Sequence, residues 1–341
     1  MWNKHQVVEH IIGKQREQAK AKGKAFAPSN IALCKYWGKR DAELNLPVTS
    51  SLSVSLHHLG TVTEIMRATE KDHIVLNGIE LDEHEPFAKR LITFLDLYRP
   101  HPEFKFKVNT SNNIPTAAGL ASSASGFAAM VLALDDFFAW NLSLQDLSIL
   151  ARMGSGSAAR SLMNGFVLWQ AGSRSDGMDS FAKSLDIEWP EFRIGVLTLS
   201  DLEKSKSSRQ AMTETINTSI LYKSWPAQVS RDLDRLLTAI QNKDIQLCGE
   251  TAEQNALSMH ATMIASWPPT LYWLAETVST LNRVWEMRKQ GIPVYITMDA
   301  GPNVKLIFEK NISTKIQNVF KCEIIAPFAS FSNLNFHKRE R

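Results

Sequence analysis

The chain opens on a helical spacing of apolar residues and then changes to the two-residue alternation of strands. Four apolar side chains near the N-terminus fall on one helical face and predict a short amphipathic helix: Val7, Val8, Ile11 and Ile12. Alternating apolar and polar residues then predict strands at residues 25–33, 50–56 and 61–66. The Asn77-Gly78 dipeptide, which follows a short apolar run, predicts a two-residue hairpin turn.

The helical period returns before the middle of the chain. Residues 86–98 carry apolar side chains three and four apart, and residues 127–134 form an apolar run typical of a buried helix. Ser143 is a good N-cap for a further helix over residues 144–153. Strands are predicted between and after these helices, at residues 104–109 and 166–171.

The pattern restarts near residue 190. A strand at 193–199, several helices between residues 212 and 290, and closing strands at 294–298 and 304–308 follow. Strands interleaved with helices, with one restart, predict an α+β protein of two domains. We place an N-terminal helical extension over residues 1–24, a first domain over 25–190 and a second over 191–341.

Composition narrows the class of protein. The chain has 341 residues, 44% of them hydrophobic, which is ample for two packed cores, and its net charge of +3 gives no reason to expect nucleic acid. Cys34, Cys248 and Cys322 are scattered and form no CxxC pair, which favours a reducing, cytoplasmic setting over a disulfide framework or a zinc site. The lysine-rich N-terminus lacks the apolar segment of a secretory signal.

The most informative segment is the loop over residues 112–126, NNIPTAAGLASSASG, which runs into the apolar helix. Small residues let the backbone approach a ligand, and the free N–H groups and dipole of a helix start favour an anion, so the loop predicts a phosphate site. The hydroxyls of Ser122 and Ser123 add donors or a metal-bound oxygen. Two other interpretations are a tightly packed small-residue helix and, for residues 117–134, a short membrane span; the serines and the following Asp135-Asp136 disfavour the span.

Three further motifs carry chemistry. Residues 154–160, GSGSAAR, resemble a dinucleotide fingerprint, but a helix precedes them and a strand follows, so an oxyanion site with Arg160 is favoured.

The segment KYWGKR, residues 35–40, follows a strand and places three cations around two aromatic residues. This pattern fits either an anionic substrate or a solvated basic turn. Asp299 lies in an Asp-Ala-Gly-Pro-Asn turn, where it either caps its own backbone or projects into a cleft as a base. His260 is interpreted as a satisfied core histidine.

Taken together, these motifs resemble a known family. The glycine loop is similar to motif 2 of the GHMP kinases, and five segments in order resemble the diphosphomevalonate decarboxylases within that superfamily: NIALCKYWGKRDAELNLPVTSSLSVSL, NNIPTAAGLASSASGFAA, ARMGSGSAARSL, MHATMIASWPP and MDAGPN. The resemblance runs from about residue 26 to about residue 306. It implies a ribosomal-protein-S5-like first domain, a ferredoxin-like second domain and an active site between them.

The resemblance also implies an activity. ATP and Mg²⁺ would support phosphorylation of the tertiary 3-hydroxyl of mevalonate 5-diphosphate, followed by loss of phosphate and CO₂ to give isopentenyl diphosphate. The implied catalytic residues are Asp299, Lys35, Ser123 and Arg160. The implied substrate-binding residues are Tyr36, Trp37, Gly38, Lys39, Ser155, Gly156, Ser157, Ala158, Ala159, Arg160, Ser208 and Arg209. The implied ATP-binding residues are Asn112, Asn113, Pro115, Ala118, Gly119, Leu120, Ala121, Ser122 and Ser123, with Ser123 as the magnesium ligand.

The sequence also departs from the family pattern. Phe87 stands where related decarboxylases carry a substrate-binding arginine, with Lys89 or Arg90 one turn on as substitutes, and Arg209 stands where a small hydroxyl residue is usual. The alternatives are a GHMP kinase or decarboxylase acting on mevalonate or its monophosphate, and a non-catalytic nucleotide-binding relative. The family is often dimeric, so we expect a homodimer that binds a small-molecule substrate and neither nucleic acid nor membrane.

Overall fold

The computed structural model describes residues 2–13, 19–114, 122–200 and 206–329, and at Ser122 the backbone alone. Within these ranges it contains two larger β-sheets that are covered by helices, and a small two-stranded one. The chain is therefore of the mixed α+β class, as the succession of strands and helices predicts.

The first sheet is built mainly from residues before position 190. Its strands are β1 (Lys22–Cys34), β4 (Ser51–Ala68), β5 (His73–Leu76), β6 (Ile79–Leu81), β7 (Lys105–Asn112), β8 (Phe166–Trp169) and β9 (Ala182–Ser184). They lie in the order β6-β5-β7-β4-β8-β9, and β1 also pairs with β4. A separate two-stranded ribbon, β2 (Lys39–Asp41) with β3 (Leu46–Pro47), follows β1.

The long strand β4 organises this sheet. The sequence predicts two strands there, at 50–56 and 61–66, whereas the structure has one strand with an irregular middle. His57 adopts a positive φ of 54°, and the register with β1 shifts between Pro28 and Asn30. At Gly60 a Cβ atom would lie 2.1 Å from the Ala27 carbonyl oxygen, so only glycine allows the two strands to pass this closely. A local bulge therefore bends the strand without ending it.

Four helices accompany the first sheet: α1 (Lys4–Ile12), α2 (Pro86–Leu95), α3 (Ser122–Phe138) and α4 (Leu144–Gly154). The predicted N-cap Ser143 accepts a hydrogen bond from the Asp146 amide, and Asn3 caps α1 through Gln6. Val7, Val8 and Ile12 of α1 are buried in the same apolar core as α3 and α4. The N-terminal helix therefore packs against α3 and α4, and β1 begins at Lys22.

The second sheet has the order β11-β12-β10-β13. Its strands are β10 (Phe192–Val196), β11 (Tyr295–Met298), β12 (Val304–Glu309) and β13 (Glu323–Ile325), and its helices are α5 (Ser208–Thr218), α6 (Trp225–Asn242), α7 (Ile245–Ile264), α8 (Ala275–Lys289) and α9 (Ser313–Phe320). The buried faces of α6 and α7 share one apolar cluster with the end of β1, which joins the two halves of the chain.

Two loop regions lie where these halves meet. A 3₁₀ turn, Gly156–Arg160, follows α4, and the turn between β11 and β12 carries Asp299. In the parts of the chain that the structure describes, no helix combines the length and the hydropathy that crossing a bilayer requires.

Candidate active site

A cavity of about 310 Å³ opens where β1 ends, between the first sheet and the second. The predicted residues that line it are Lys35, Tyr36, Trp37, Lys39, Ser123, Ser155, Gly156, Ser157, Arg160, Ser208, Arg209 and Asp299. Asn30, Asn45, Arg90, Met212 and Met259 line it as well. Motifs that are up to 264 residues apart along the chain therefore meet at one site.

The cavity is strongly cationic. Among the described residues that line it are five cationic side chains and one carboxylate, Asp299; the cations are Lys35, Lys39, Arg90, Arg160 and Arg209. Burying like charges together is unfavourable unless an anion joins them. The charge balance therefore fits a small molecule that carries several negative charges.

Lys35 and Asp299 form the ion pair at the centre of the cavity. The Lys35 Nζ donates to Asp299 Oδ1 at 3.0 Å and to the Ala32 carbonyl at 2.8 Å, and the Lys35 side chain is 2% exposed. Burial lowers the pKa of Lys35, and the attraction of Asp299 opposes that effect. The Lys35 amide donates to Asn255 Oδ1 of α7 at 2.8 Å, which fixes the end of β1 against the second half of the chain. Asp299 is 28% exposed, so its carboxylate stays open to the cavity.

His260 of α7 supports Asp299 from the other side. Its Nδ1 accepts a hydrogen bond from Trp273 Nε1 at 2.9 Å, so Nε2 carries the proton and donates to the Asp299 carbonyl oxygen at 3.0 Å. Burial lowers the pKa of His260 to about 4, which keeps the ring neutral. His260 is the satisfied core histidine that the sequence predicts, and it holds the backbone of Asp299.

Arg160 ends the 3₁₀ turn and is 3% exposed. Its guanidinium donates to Ser51 Oγ of β4 and lies 3.4 Å from Asn30 Oδ1, while its plane faces the ring of Trp169. Burial lowers the pKa of Arg160 to about 10, and Asp299 opposes this. These neutral partners leave the charge of Arg160 directed at the cavity, where a carboxylate or phosphate would neutralise it.

Two polar atoms at the cavity wall have no hydrogen-bond partner among the described residues. They are Tyr36 Oη and Trp37 Nε1, and both are buried. Burial raises the pKa of Tyr36, so its hydroxyl keeps its proton. A Cβ atom on Gly156 would lie 2.7 Å from Tyr36 Oη, so the glycine lets the loop approach the ring. Because buried donors are costly when unpaired, these two atoms are typical of a site that a ligand completes.

Lys39, Arg90 and Arg209 gather at the other end of the cavity. Lys39 Nζ donates to Asn45 Oδ1 at 2.6 Å, and burial together with the nearby Arg209 lowers the pKa of Lys39 to about 8. Arg90 of α2 donates to the Gly154 carbonyl at 2.8 Å and stacks over Phe127, and its pKa is lowered to about 10 by burial and Arg209. This cationic end has the charge and the donors for a phosphate chain.

The start of α3 brings Ser123 to the cavity, in the first turn of a helix, where the helix dipole favours an anion. Asn112 and Asn113 do not line the cavity: Asn112 Oδ1 accepts from Thr61 Oγ1, and Asn113 bridges Gly60 and His58. Ala158 and Ala159 are buried behind the wall, and the φ of 132° at Gly38 needs a glycine. The remaining predicted ATP-binding residues lie outside the described ranges: Pro115, Ala118, Gly119, Leu120, Ala121 and the side chain of Ser122.

Two protein-family models match this chain, one in each of its two halves. Residues 27–182 match the diphosphomevalonate decarboxylase-like N-terminal domain, and residues 194–337 match the mevalonate 5-diphosphate decarboxylase C-terminal domain. The diphosphomevalonate decarboxylase of Aspergillus fumigatus is 38% identical over 326 residues, which span 88% of this chain and 80% of that protein.

Solved structures give the same result. The structure of MDDEF in complex with MVAPP, AMPPCP and magnesium is 40% identical, with a TM-score of 0.82 over 90% of this chain and 98% of that one. Mevalonate diphosphate decarboxylase from Staphylococcus aureus is 37% identical, with a TM-score of 0.84 over 90% of this chain and 96% of that one.

Proposed function

The chain belongs to the diphosphomevalonate decarboxylase family of GHMP kinase fold, and we propose that the cavity around Lys35 and Asp299 is where it performs the family's reaction. That reaction is the ATP-dependent decarboxylation of mevalonate 5-diphosphate to isopentenyl diphosphate, phosphate and CO₂. The observation that carries the assignment is Asp299, the one carboxylate among the described residues that line the cavity, which is paired with a buried lysine and accompanied there by four further cationic side chains.

Asp299 is the base in this proposal. A tertiary hydroxyl is a poor leaving group, so the substrate must first receive the γ-phosphoryl group of ATP on its 3-oxygen. Asp299 accepts the hydroxyl proton while Lys35, 3.0 Å away, stabilises the charge that develops on the transferred group. His260 keeps the carboxylate in place through the Asp299 backbone.

Phosphate and CO₂ then leave together. The C–O bond to the new phosphate breaks, the carboxylate bond breaks to give CO₂, and its electron pair forms the double bond of isopentenyl diphosphate. Arg160 and the hydroxyls of Ser155 and Ser157 are suited to hold the substrate carboxylate until it leaves. The cations around the site stabilise the departing phosphate.

The 5-diphosphate is proposed to occupy the end with Lys39, Arg90 and Arg209. Phe87, at the position of the family arginine, is 40% exposed and does not line the cavity, whereas Arg90, one helical turn on, does. Lys89 does not line the cavity either. Arg90 therefore supplies the guanidinium that Phe87 cannot, and Arg209 adds a second one.

ATP and Mg²⁺ fit the start of α3. A helix N-terminus and the hydroxyl of Ser123 suit phosphate oxygens and a hard cation. Among the described residues no group of three or more His, Cys, Asp or Glu could hold a metal. Such a group is not required, because Mg²⁺ is usually bound by nucleotide phosphates together with only a few protein ligands. When bound, the ion neutralises phosphate charge.

A coupled assay tests the function. With ATP, Mg²⁺ and mevalonate carrying no, one or two 5-phosphates, both ADP and CO₂ are recorded. Equal amounts of ADP and CO₂ from the diphosphate support the proposal. ADP without CO₂ would indicate a small-molecule kinase, and ATP binding without turnover of any of the three would indicate a non-catalytic relative.

Two further properties belong to the proposal: a homodimeric state and a cytoplasmic setting. The three cysteines are buried and unpaired, which supports a reducing compartment. Sedimentation equilibrium tests the dimer, and a single species at the monomer mass of 38.3 kDa would contradict it.

A further inference from the structure

A second buried lysine lies beside Asp299. Lys305 is on β12, one of the two inner strands of the second sheet, and is 1% exposed. Its Nζ is 3.9 Å from Asp299 Oδ2, whereas Lys35 contacts Oδ1. The two ammonium groups therefore lie against different oxygens of one carboxylate.

The position of Lys305 is unusual for the strand that carries it. Its neighbours Val304, Leu306, Ile307 and Phe308 are all buried and apolar. An ammonium group in such a strand is costly to desolvate, and an apolar side chain would pack there without that cost. Lys305 is paired with Thr297 across the ladder, so its side chain lies on the face of Thr297, whose hydroxyl donates to the Ala32 carbonyl of β1. That face is the one turned toward the active site.

Lys305 differs from Lys35 in its access to ligands. Lys35 lines the cavity, so a bound substrate can form an ion pair with it. Lys305 does not line the cavity. Among the described residues, the titratable and charged groups that face Asp299 are Lys35 from the end of β1, Arg160 from the 3₁₀ turn, His260 from α7 and Lys305 from β12. His260 is neutral, and both Lys35 and Arg160 are available to the substrate.

We propose that Lys305 is a positioning residue for Asp299, which holds the carboxylate ionised and oriented from behind while Lys35 and Arg160 engage the substrate. The inference rests on the proposed role of Asp299 as the base. The substrate and ATP bring several negative charges toward the carboxylate, and nearby anions favour its protonated form. Lys305 does not line the cavity, so its charge opposes this protonation both with and without substrate.

The test compares the pH dependence of kcat for four proteins: wild type, Lys305→Met, Lys305→Arg and Lys310→Met. Lys310 is an exposed lysine five positions along the chain and serves as the matched loss of charge. Removing a cation from beside a base raises the pH at which that base ionises, so the acid limb of Lys305→Met should move up by about one pH unit. Activity on that limb should fall about tenfold, with KM for mevalonate 5-diphosphate within about threefold of wild type because Lys305 does not touch the substrate.

Lys305→Arg should keep the wild-type limb, and so should Lys310→Met. A Lys305→Met profile that superimposes on the wild type would overturn the inference, as would an equal shift in Lys310→Met. If Lys305→Met does not fold, Lys305→Gln gives the same readout.

A measurement without turnover separates this inference from the proposed function. NMR titration of ¹³C-carboxyl-labelled aspartates in the free protein follows Asp299, whose signal is identified by its loss in Asp299→Asn. We expect that titration to move to higher pH in Lys305→Met even if the reaction assigned to the cavity is wrong. An unchanged titration of Asp299 would refute the role of Lys305.

Discussion

Arg90 offers the sharpest test of how the substrate diphosphate is held. We predict that Arg90→Met raises KM for mevalonate 5-diphosphate and leaves KM for ATP unchanged. Arg90 lines the cavity beside Lys39 and Arg209, and its pKa is lowered by burial and by Arg209, so an anion is the partner missing from this cluster. A hydrogen bond to a charged group contributes about 1.5–3 kcal/mol, so its loss should raise KM roughly 10- to 150-fold.

Steady-state kinetics with the diphosphate and the monophosphate measure this effect. The monophosphate should lose less, because the distal phosphate is absent in it. Lys89→Met is the matched control, since it removes the neighbouring charge from an exposed position outside the cavity. Phe87→Arg placed in the Arg90→Met protein should recover part of the affinity from the same helix face, three residues earlier.

Arg90 also contacts the Gly154 carbonyl, just before the turn that carries Arg160. Arg90→Lys keeps the charge while changing that contact, so a purely structural role would make Arg90→Lys and Arg90→Met equally poor. That result, or an equal rise in KM for both phosphorylated substrates, would refute the assignment of Arg90 to the diphosphate.

Three more predictions concern charged groups of the site. Lys35→Met should lower kcat at least about 100-fold in the coupled assay, and it should lower the melting temperature because it leaves the Asp299 carboxylate without its closest cation; a fall in kcat of less than tenfold would contradict the role of Lys35. Since the pKa of Lys39 is lowered to about 8, its charge is present below that pH and kcat/KM for the diphosphate should fall as pH rises through it; Lys39→Arg should remove this alkaline limb, and a limb that persists would point to another group. The pKa of His260 is lowered to about 4 in the folded chain, so between pH 6.5 and 4 the unfolded chain takes up a proton on His260 that the folded chain does not. The free energy of unfolding should therefore drop by roughly 3 kcal/mol over this range. Urea unfolding at several pH values should show a free energy of unfolding that depends less on pH in His260→Gln than in the wild type.

Much of the fold follows from local patterns. The Asn77-Gly78 turn, the cap at Ser143 and the helix of Val7, Val8 and Ile12 are confirmed, because each depends on neighbours within a few residues. Such local patterns do not predict the bulge at His57. The interruption of the apolar alternation near His57 is what the end of a strand would also produce, whereas in the structure a positive φ bends the strand there and the strand continues. Short elements such as α9 and β13 were missed because a few residues carry too little periodicity.

The family assignment also followed from the sequence, because its motifs are specific, and the comparisons confirm it. The motifs alone left open whether Lys89 or Arg90 replaces the arginine missing at Phe87. That choice depends on which face of α2 meets the cavity. Lys305 gave no signal at all, because a lysine within Val-Lys-Leu-Ile-Phe resembles the solvent-facing position of an edge strand, and only the approach of β12 to β1 brings it to Asp299.

The central claim is that Asp299, paired with Lys35, activates the 3-hydroxyl for phosphoryl transfer. Single-turnover mixing of Asp299→Asn with ATP, Mg²⁺ and mevalonate 5-diphosphate, with ADP and CO₂ followed together, tests it most directly. Loss of a general base costs about 10²- to 10⁴-fold in rate. We therefore predict that Asp299→Asn slows ADP formation at least about 100-fold. The variant should still bind substrate, and CO₂ should not be released before ADP forms. ADP formation within tenfold of the wild-type rate would contradict the account.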